Sequence, residues 1–162
     1  MLKKYLGCKY IIFNEINEKK LNLKKIELNI NDKLRFEKGN QHEKDYLKEL
    51  KKSHKKVLDL KKSDLTREEK ISKTIQAMKE GWEIIHGGWL KKDKWTGEFD
   101  FLIINKELKS KFGDYSYEVI DTKYSNKPKP DHIIQLGMYT YMLENTQGVL
   151  PKRFTIVLKN MV

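Results

Sequence analysis

Two stretches of this chain set acids on faces otherwise suited to packing. In Gly97-Glu98-Phe99-Asp100-Phe101-Leu102-Ile103-Ile104, strand alternation puts Asp100 on the face of Leu102 and Ile104. In Tyr117-Glu118-Val119-Ile120-Asp121-Thr122-Lys123, Asp121 and Lys123 share the face of Val119. Carboxylates gathered at one spot are the hard oxygen donors that Mg²⁺ prefers. A metal held there polarises a phosphoryl oxygen and lowers the pKa of a bound water. A lysine beside it orients that water or offsets charge in the transition state. The expected chemistry is phosphodiester hydrolysis, with Asp100, Asp121 and Lys123 as its catalytic residues. Asp-x-Lys alone is common in so lysine-rich a chain, and it reads equally as a surface ion pair. Its weight comes from its place, after Gly97-x-x-Asp100 and before a helix.

A third acid comes from upstream. Phe36, Gly39, Glu43, Tyr46, Leu47 and Leu50 fall on one helical face, with Glu43 in the middle of the apolar stripe. A buried carboxylate without a partner is costly, so Glu43 needs a cation, a hydrogen bond or a solvated cleft. It can complete a metal cage with Asp100 and Asp121. His42 flanks the stripe as the alternative ligand. Downstream, His132, Gln135 and Tyr139 recur at i, i+3 and i+7. A Gln and a Tyr one turn apart can hydrogen-bond a phosphate or stack on a base. The structural alternative is a half-buried Tyr139 beside a surface Gln135.

These residues require a mixed set of elements. Leu2, Tyr5, Leu6, Lys9 and Phe13 mark a short helix, and Leu21–Ile30 alternates loosely like a strand. Asn31 or Asp32 would cap the helix of Glu43, and Lys51–Lys62 would be a basic loop with a short strand at Val57–Leu60. Thr66 with Glu69 forms a capping box for a helix carrying Ile71, Ile75 and Met78 and stopping at Gly81. Strands follow at Trp82–Leu90, Gly97–Ile104 and Tyr115–Lys123, joined by polar connections at Lys91–Thr96 and Asn105–Asp114. Pro128 and Pro130 interrupt the chain, Asp131 caps a helix to about Asn145, and Ile134, Gly137, Met138, Tyr141 and Met142 give it an apolar surface. Phe154, Ile156 and Leu158 suggest a last strand. The expected fold class is α/β, a mixed central β-sheet flanked by helices.

The chain has 162 residues, enough for one domain, expected over 1–162 with 1–35 as an N-terminal extension packing on the core. Thirty-four Lys and Arg against 23 Asp and Glu leave a net charge of +11, which favours a polyanionic partner. Its apolar runs are too short for a membrane span, and no signal-peptide pattern opens the chain. Cys8 is the only cysteine, which excludes a disulfide framework and a four-cysteine cluster within one chain, and points to a reducing, cytoplasmic compartment.

Taken in order, Gly39-x-x-x-Glu43, Gly97-x-x-Asp100, Asp121-x-Lys123 and Gln135-x-x-x-Tyr139 resemble the RecB-like branch of the PD-(D/E)XK nuclease superfamily. The likeness covers roughly residues 36–145 and is closest to a subset of nucleases often joined to helicases. It implies a restriction-endonuclease-like core and Mg²⁺- or Mn²⁺-dependent cleavage of DNA. Asp100 and Asp121 would be metal ligands, with the backbone carbonyl of Thr122 as a further one and Lys123 as the catalytic lysine. Glu43 stands where many relatives have a histidine, so Glu43 or His42 would be the ligand from the first helix. Gln135 and Tyr139 match the motif that contacts DNA in relatives. Some relatives hold an iron–sulfur cluster with one early and three late cysteines. No late cysteine exists here, so no such cluster is expected, and Cys8 would be a small packed residue.

The function expected is a metal-dependent deoxyribonuclease, an exonuclease or a single-strand or end-processing enzyme of DNA repair, recombination or phage DNA metabolism. His132, Lys127 and Lys129 join Gln135 and Tyr139 as the nucleic-acid-binding set, and Lys51, Lys52, Lys55 and Lys56 would also track phosphates. DNA, as single strands or duplex ends, is the expected partner, with a helicase or recombination protein or a second copy of the chain as further ones, and no membrane. The alternatives are a catalytically silent nucleic-acid-binding or partner-docking module with a nuclease fold, and the same chemistry on RNA.

Overall fold

A computed structural model describes residues 8–24 and 27–161. Leu2, Tyr5 and Leu6, marks of the first expected helix, lie outside these residues. Helix α1 (Lys9–Asn17) is present, with Tyr10, Phe13 and Ile16 exposed. Cys8 occupies its N-cap position and is exposed, not packed, because the chain there is extended and leads into a surface helix. No strand forms over the described part of 21–30.

Helix α2 (Ile30–Ser53) starts earlier than the sequence suggested. Asn29, not Asn31 or Asp32, is its cap, and its side-chain oxygen accepts the Asp32 N–H at 2.9 Å. The helix also absorbs Lys51–Ser53, which had been expected in a loop. Its inner face narrows to His42, Tyr46, Leu47 and Leu50, while Phe36 stays 61 % exposed beyond the edge of the sheet contact. Strand β1 (Val57–Asp59) follows, and then α3 (Arg67–Lys79). Thr66 and Glu69 form the expected capping box, and Gly81 ends the helix at φ +65°. Its deepest residues are Thr74, Ala77 and Met78; Ile71 and Ile75 are only half-buried.

The next strands are shorter than period-two alternation implies. Trp82–Leu90 divides into β2 (Ile84–His86) and β3 (Trp89–Lys92), and Gly97–Ile104 into β4 (Trp95–Glu98) and β5 (Phe101–Asn105). Gly87, at φ +65°, makes the first break, and a Cβ there would stand 2.7 Å from Lys61 Cα. The chain resumes opposite itself: Gly87 N–H donates to the Asp100 carbonyl and Phe99 N–H to the Gly88 carbonyl. Thus β3 and β4 form a separate antiparallel hairpin, with Asp93 at φ 54° in its turn. Lys91–Thr96 is largely strand instead of a polar connection.

Strand β6 (Ser116–Lys123) is buried along nearly its whole length. Helix α4 (Pro130–Gln147) begins with Pro130 in its first turn and Lys129 as N-cap, two residues before the expected Asp131 cap, since proline suits the helix start. Gly148 closes it in the left-handed conformation, and β7 (Thr155–Leu158) completes the chain. Leu136, Tyr139, Met142 and Leu143 face the core, whereas Ile134 and Tyr141 are exposed and Gly137 lies outside. The apolar surface of α4 is therefore rotated from that expected.

Among the described residues the main sheet has five strands in the order β1-β2-β5-β6-β7. The outer pairs β1–β2 and β6–β7 are parallel and the inner ones antiparallel. Alternation sorts side chains to two cores. Ile85, Leu102, Tyr117 and Val119 pack with α3, α4 and the hairpin, while Ile84, Phe101, Ile120 and Val157 pack under α2. The chain is thus α/β, with a mixed sheet flanked by helices, as its sequence suggested. Among the described residues no helix is long and apolar enough to cross a membrane.

Candidate active site

The acids collect where the strands end. Phe101 pairs with Ile120 in the β5–β6 register, so Asp100, one residue earlier, stands across from Asp121. Asp121 is 1 % exposed. Lys123, two residues along the same strand, forms an ion pair with it. Asp100 Oδ2 accepts from the Thr122 N–H at 2.8 Å and the Thr122 hydroxyl at 2.9 Å, so one end of that carboxylate is fixed by the neighbouring strand.

On the other side of the sheet, Asp59 and His86 end β1 and β2 as register partners. His86 Nδ1 lies 2.8 Å from Asp59 Oδ1, and its Nε2 lies 2.8 Å from Glu43 Oε1. Phe101 stacks on the ring at 4.7 Å, which closes the imidazole into the core. Glu43 also meets Lys61, whose Nζ is 3.3 Å from Glu43 Oε1 and 3.5 Å from Glu98 Oε1. Burial alone would raise the Glu43 pKa, but the His86 hydrogen bond and the Lys61 charge outweigh it and hold the carboxyl below its ordinary range. Lys61 shows the converse: burial would lower its pKa, but Glu43, Glu98 and Asp100 together hold it above the usual value.

Tyr139 ties the opposite side together. Its hydroxyl donates to the Glu98 carbonyl and accepts from Gln135 Nε2 at 2.9 Å. The phenol is pushed up to about 12, first by burial and then by the charges of Asp121, Asp100 and Glu98, against the lowering effect of Gln135. Among the described residues Gln135 Oε1 is buried with no hydrogen-bond partner, beside this phenol. Gly97 makes room for the ring, because a Cβ there would lie 2.5 Å from Tyr139 Cε1.

The expected site residues are therefore partly assembled. Asp100, Asp121, Thr122 and Lys123 stand together, with Tyr139 and Gln135 beside them, and Glu43 joins through Lys61. His42 turns the other way: its Nε2 is 3.1 Å from the Val157 carbonyl in β7, and its ring packs near Tyr124. His132 is buried at the start of α4, where Nδ1 accepts from the Lys129 N–H. Tyr139 is buried in the core with a hydrogen-bonded polar tip. Lys127 and Lys129 are exposed in the preceding loop.

Lys61, Glu98, Asp59 and His86 were not singled out by the sequence. The signal for His86 was an apolar strand, Ile84-Ile85, ending in a histidine before two glycines. Asp59 repeats that pattern after Val57-Leu58. Lys61 is one lysine in a basic run and carried no signal.

Among the described residues, no three His, Cys, Asp or Glu side chains are grouped so as to hold a metal ion. Mg²⁺ needs less than that, since one or two carboxylates with water filling the other positions suffice. Asp100 and Asp121 present hard oxygen donors from neighbouring segments of the sheet. Glu43 is engaged by His86 and Lys61 and does not complete a three-acid cage with them. No family model, curated protein or solved structure matches this chain.

Proposed function

We propose that the chain is a metal-dependent deoxyribonuclease with a restriction-endonuclease-like core of the RecB-like type. The observation that carries this reading is Asp100 facing Asp121 across β5 and β6, with Lys123 paired to Asp121. Mg²⁺ or Mn²⁺ would be held by Asp100 and Asp121, and would supply Lewis-acid polarisation of the phosphoryl oxygen and a bound water of lowered pKa. Thr122 fixes the rotamer of Asp100 through Oδ2. Lys123, paired with Asp121, would donate to a phosphoryl oxygen or orient the attacking water. Tyr139 keeps its proton at neutral pH and remains a hydrogen-bond donor. The excess of 34 basic over 23 acidic residues draws a polyanion toward these acids.

The test is Mg²⁺-dependent degradation of linear DNA by the wild type, Asp121→Ala and Lys123→Ala. Both variants should lose at least about 100-fold in rate; variants as active as wild type would assign the cleavage to another source. A second reading, a silent nucleic-acid-binding module, is favoured by Lys61, a protein cation already 3.3 Å from Glu43 and 3.5 Å from Glu98. It predicts salt-dependent DNA binding with no metal-dependent cleavage.

A further inference from the structure

Away from the acids, a cleft of about 350 Å³ opens between α3, β3, the loop after β5 and the C-terminal end of α4. That volume falls in the range of small-ligand sites. Ile71, Ile75, Leu90, Trp89 and Phe112 give it an apolar and aromatic lining. Lys79, Lys91 and Lys111 line it from three different segments, and among the described residues no Asp or Glu does. Arg67 adds a fourth cation, 4.9 Å from the Trp89 ring. Aromatic side chains and cations lining one cleft suit a planar apolar body that carries negative charge.

We infer that this cleft seats a nucleotide of a single nucleic-acid strand, its base against Trp89 and Phe112 and its phosphates on Lys79, Lys91 and Lys111. The choice of a nucleic acid over another apolar anion rests on the proposed nuclease reading. Continuity with the acids supports it as well. Trp89 is the register partner of Glu98 across the β3–β4 hairpin, and Glu98 belongs to the Lys61 cluster. Directly opposed residues in such a ribbon stand roughly 5 Å apart at Cβ. Trp89 therefore links the cleft to Glu98, two residues before Asp100, through one hairpin. Base–aromatic stacking tolerates any sequence, because every base has a π-face.

The experiment measures binding of a fluorescently labelled oligothymidylate to the full chain in EDTA, with Mg²⁺-dependent cleavage assayed separately. Lys79→Glu with Lys111→Glu should weaken binding by about tenfold or more and flatten its salt dependence. Lys19→Glu with Lys20→Glu changes the net charge equally outside the cleft and should cost far less. Trp89→Leu should also lose roughly tenfold, and Trp89→Phe should retain most of the affinity. The Trp89 N–H bonds Thr74 through the backbone, so neither substitution removes that contact. Cleavage that persists while both lysine pairs weaken binding equally would overturn the cleft and leave the nuclease reading intact. No oligonucleotide binding by the wild type would overturn both. Binding of a fatty acid that the cleft variants abolish, with oligothymidylate binding unaffected by them, would assign the cleft to a lipid-like anion instead.

Discussion

His86 joins two acids from different elements, and its removal gives a quantitative test of how this end of the sheet is held. In His86→Leu, Glu43 and Asp59 each lose a partner at 2.8 Å, while the leucine keeps an apolar contact with Phe101. A hydrogen bond to a charged group contributes about 1.5–3 kcal/mol. The Glu43 side chain is 13 % exposed and that of Asp59 27 %, so water recovers part of the loss. The expected destabilisation is about 2–4 kcal/mol at neutral pH, read from urea unfolding in EDTA. Its pH dependence has a definite sign. Burial pushes the Glu43 carboxyl up, but His86 and Lys61 hold it below its ordinary 4.5 in the fold. A depressed folded pKa gives stability that is full above the unfolded value and lost as pH falls through the folded one. Without His86, burial is opposed by Lys61 alone and the depression shrinks. The gap between wild type and variant should be widest above about pH 5 and narrow toward pH 3. A loss under about 1 kcal/mol, or a gap that does not change with pH, would refute the clamp.

Other substitutions probe the packing that sets the site. Gly97→Ala drives a Cβ to 2.5 Å from Tyr139 Cε1 and 3.3 Å from Met142 Cε, so it should cost about 1–3 kcal/mol in chemical unfolding. Gly39→Ala, with nothing within 4 Å of the new methyl, should stabilise α2 by about 0.5–1 kcal/mol; a loss of DNA cleavage in this more stable variant would mark a close approach of substrate there. Tyr139→Phe removes the bonds to the Glu98 carbonyl and Gln135, and should cost about 0.5–1.5 kcal/mol by thermal unfolding.

Where local signals carry the structure, the sequence could be read closely. The Thr66–Glu69 capping box, the Gly81 stop and the buried run of β6 are set by residues adjacent in the chain. The separation of the hairpin from the main sheet was hidden because apolar alternation runs on through Gly87-Gly88 and Phe99. The break there depends on the close passage of Lys61, a contact between distant segments. The same holds at the site. Asp100, Asp121 and Lys123 could be found because strand alternation puts acids among packing residues. Lys61 and the Asp59–His86–Glu43 chain exist only once β1, β2 and α2 meet. His42 and Glu43 are neighbours in sequence with opposite surroundings, because successive residues of a helix point about 100° apart. The α4 surface was misplaced because its apolar residues nearly encircle the helix, leaving periodicity little to choose between.

The proposed chemistry depends on Asp100 and Asp121 acting as a pair toward one divalent ion. Anomalous diffraction from crystals soaked in Mn²⁺ tests that most directly. The expected result is one peak within coordination distance of both carboxylates, lost in Asp121→Ala. Density for Mn²⁺ elsewhere only, or none at millimolar Mn²⁺ with Lys123 still paired to Asp121, would contradict it.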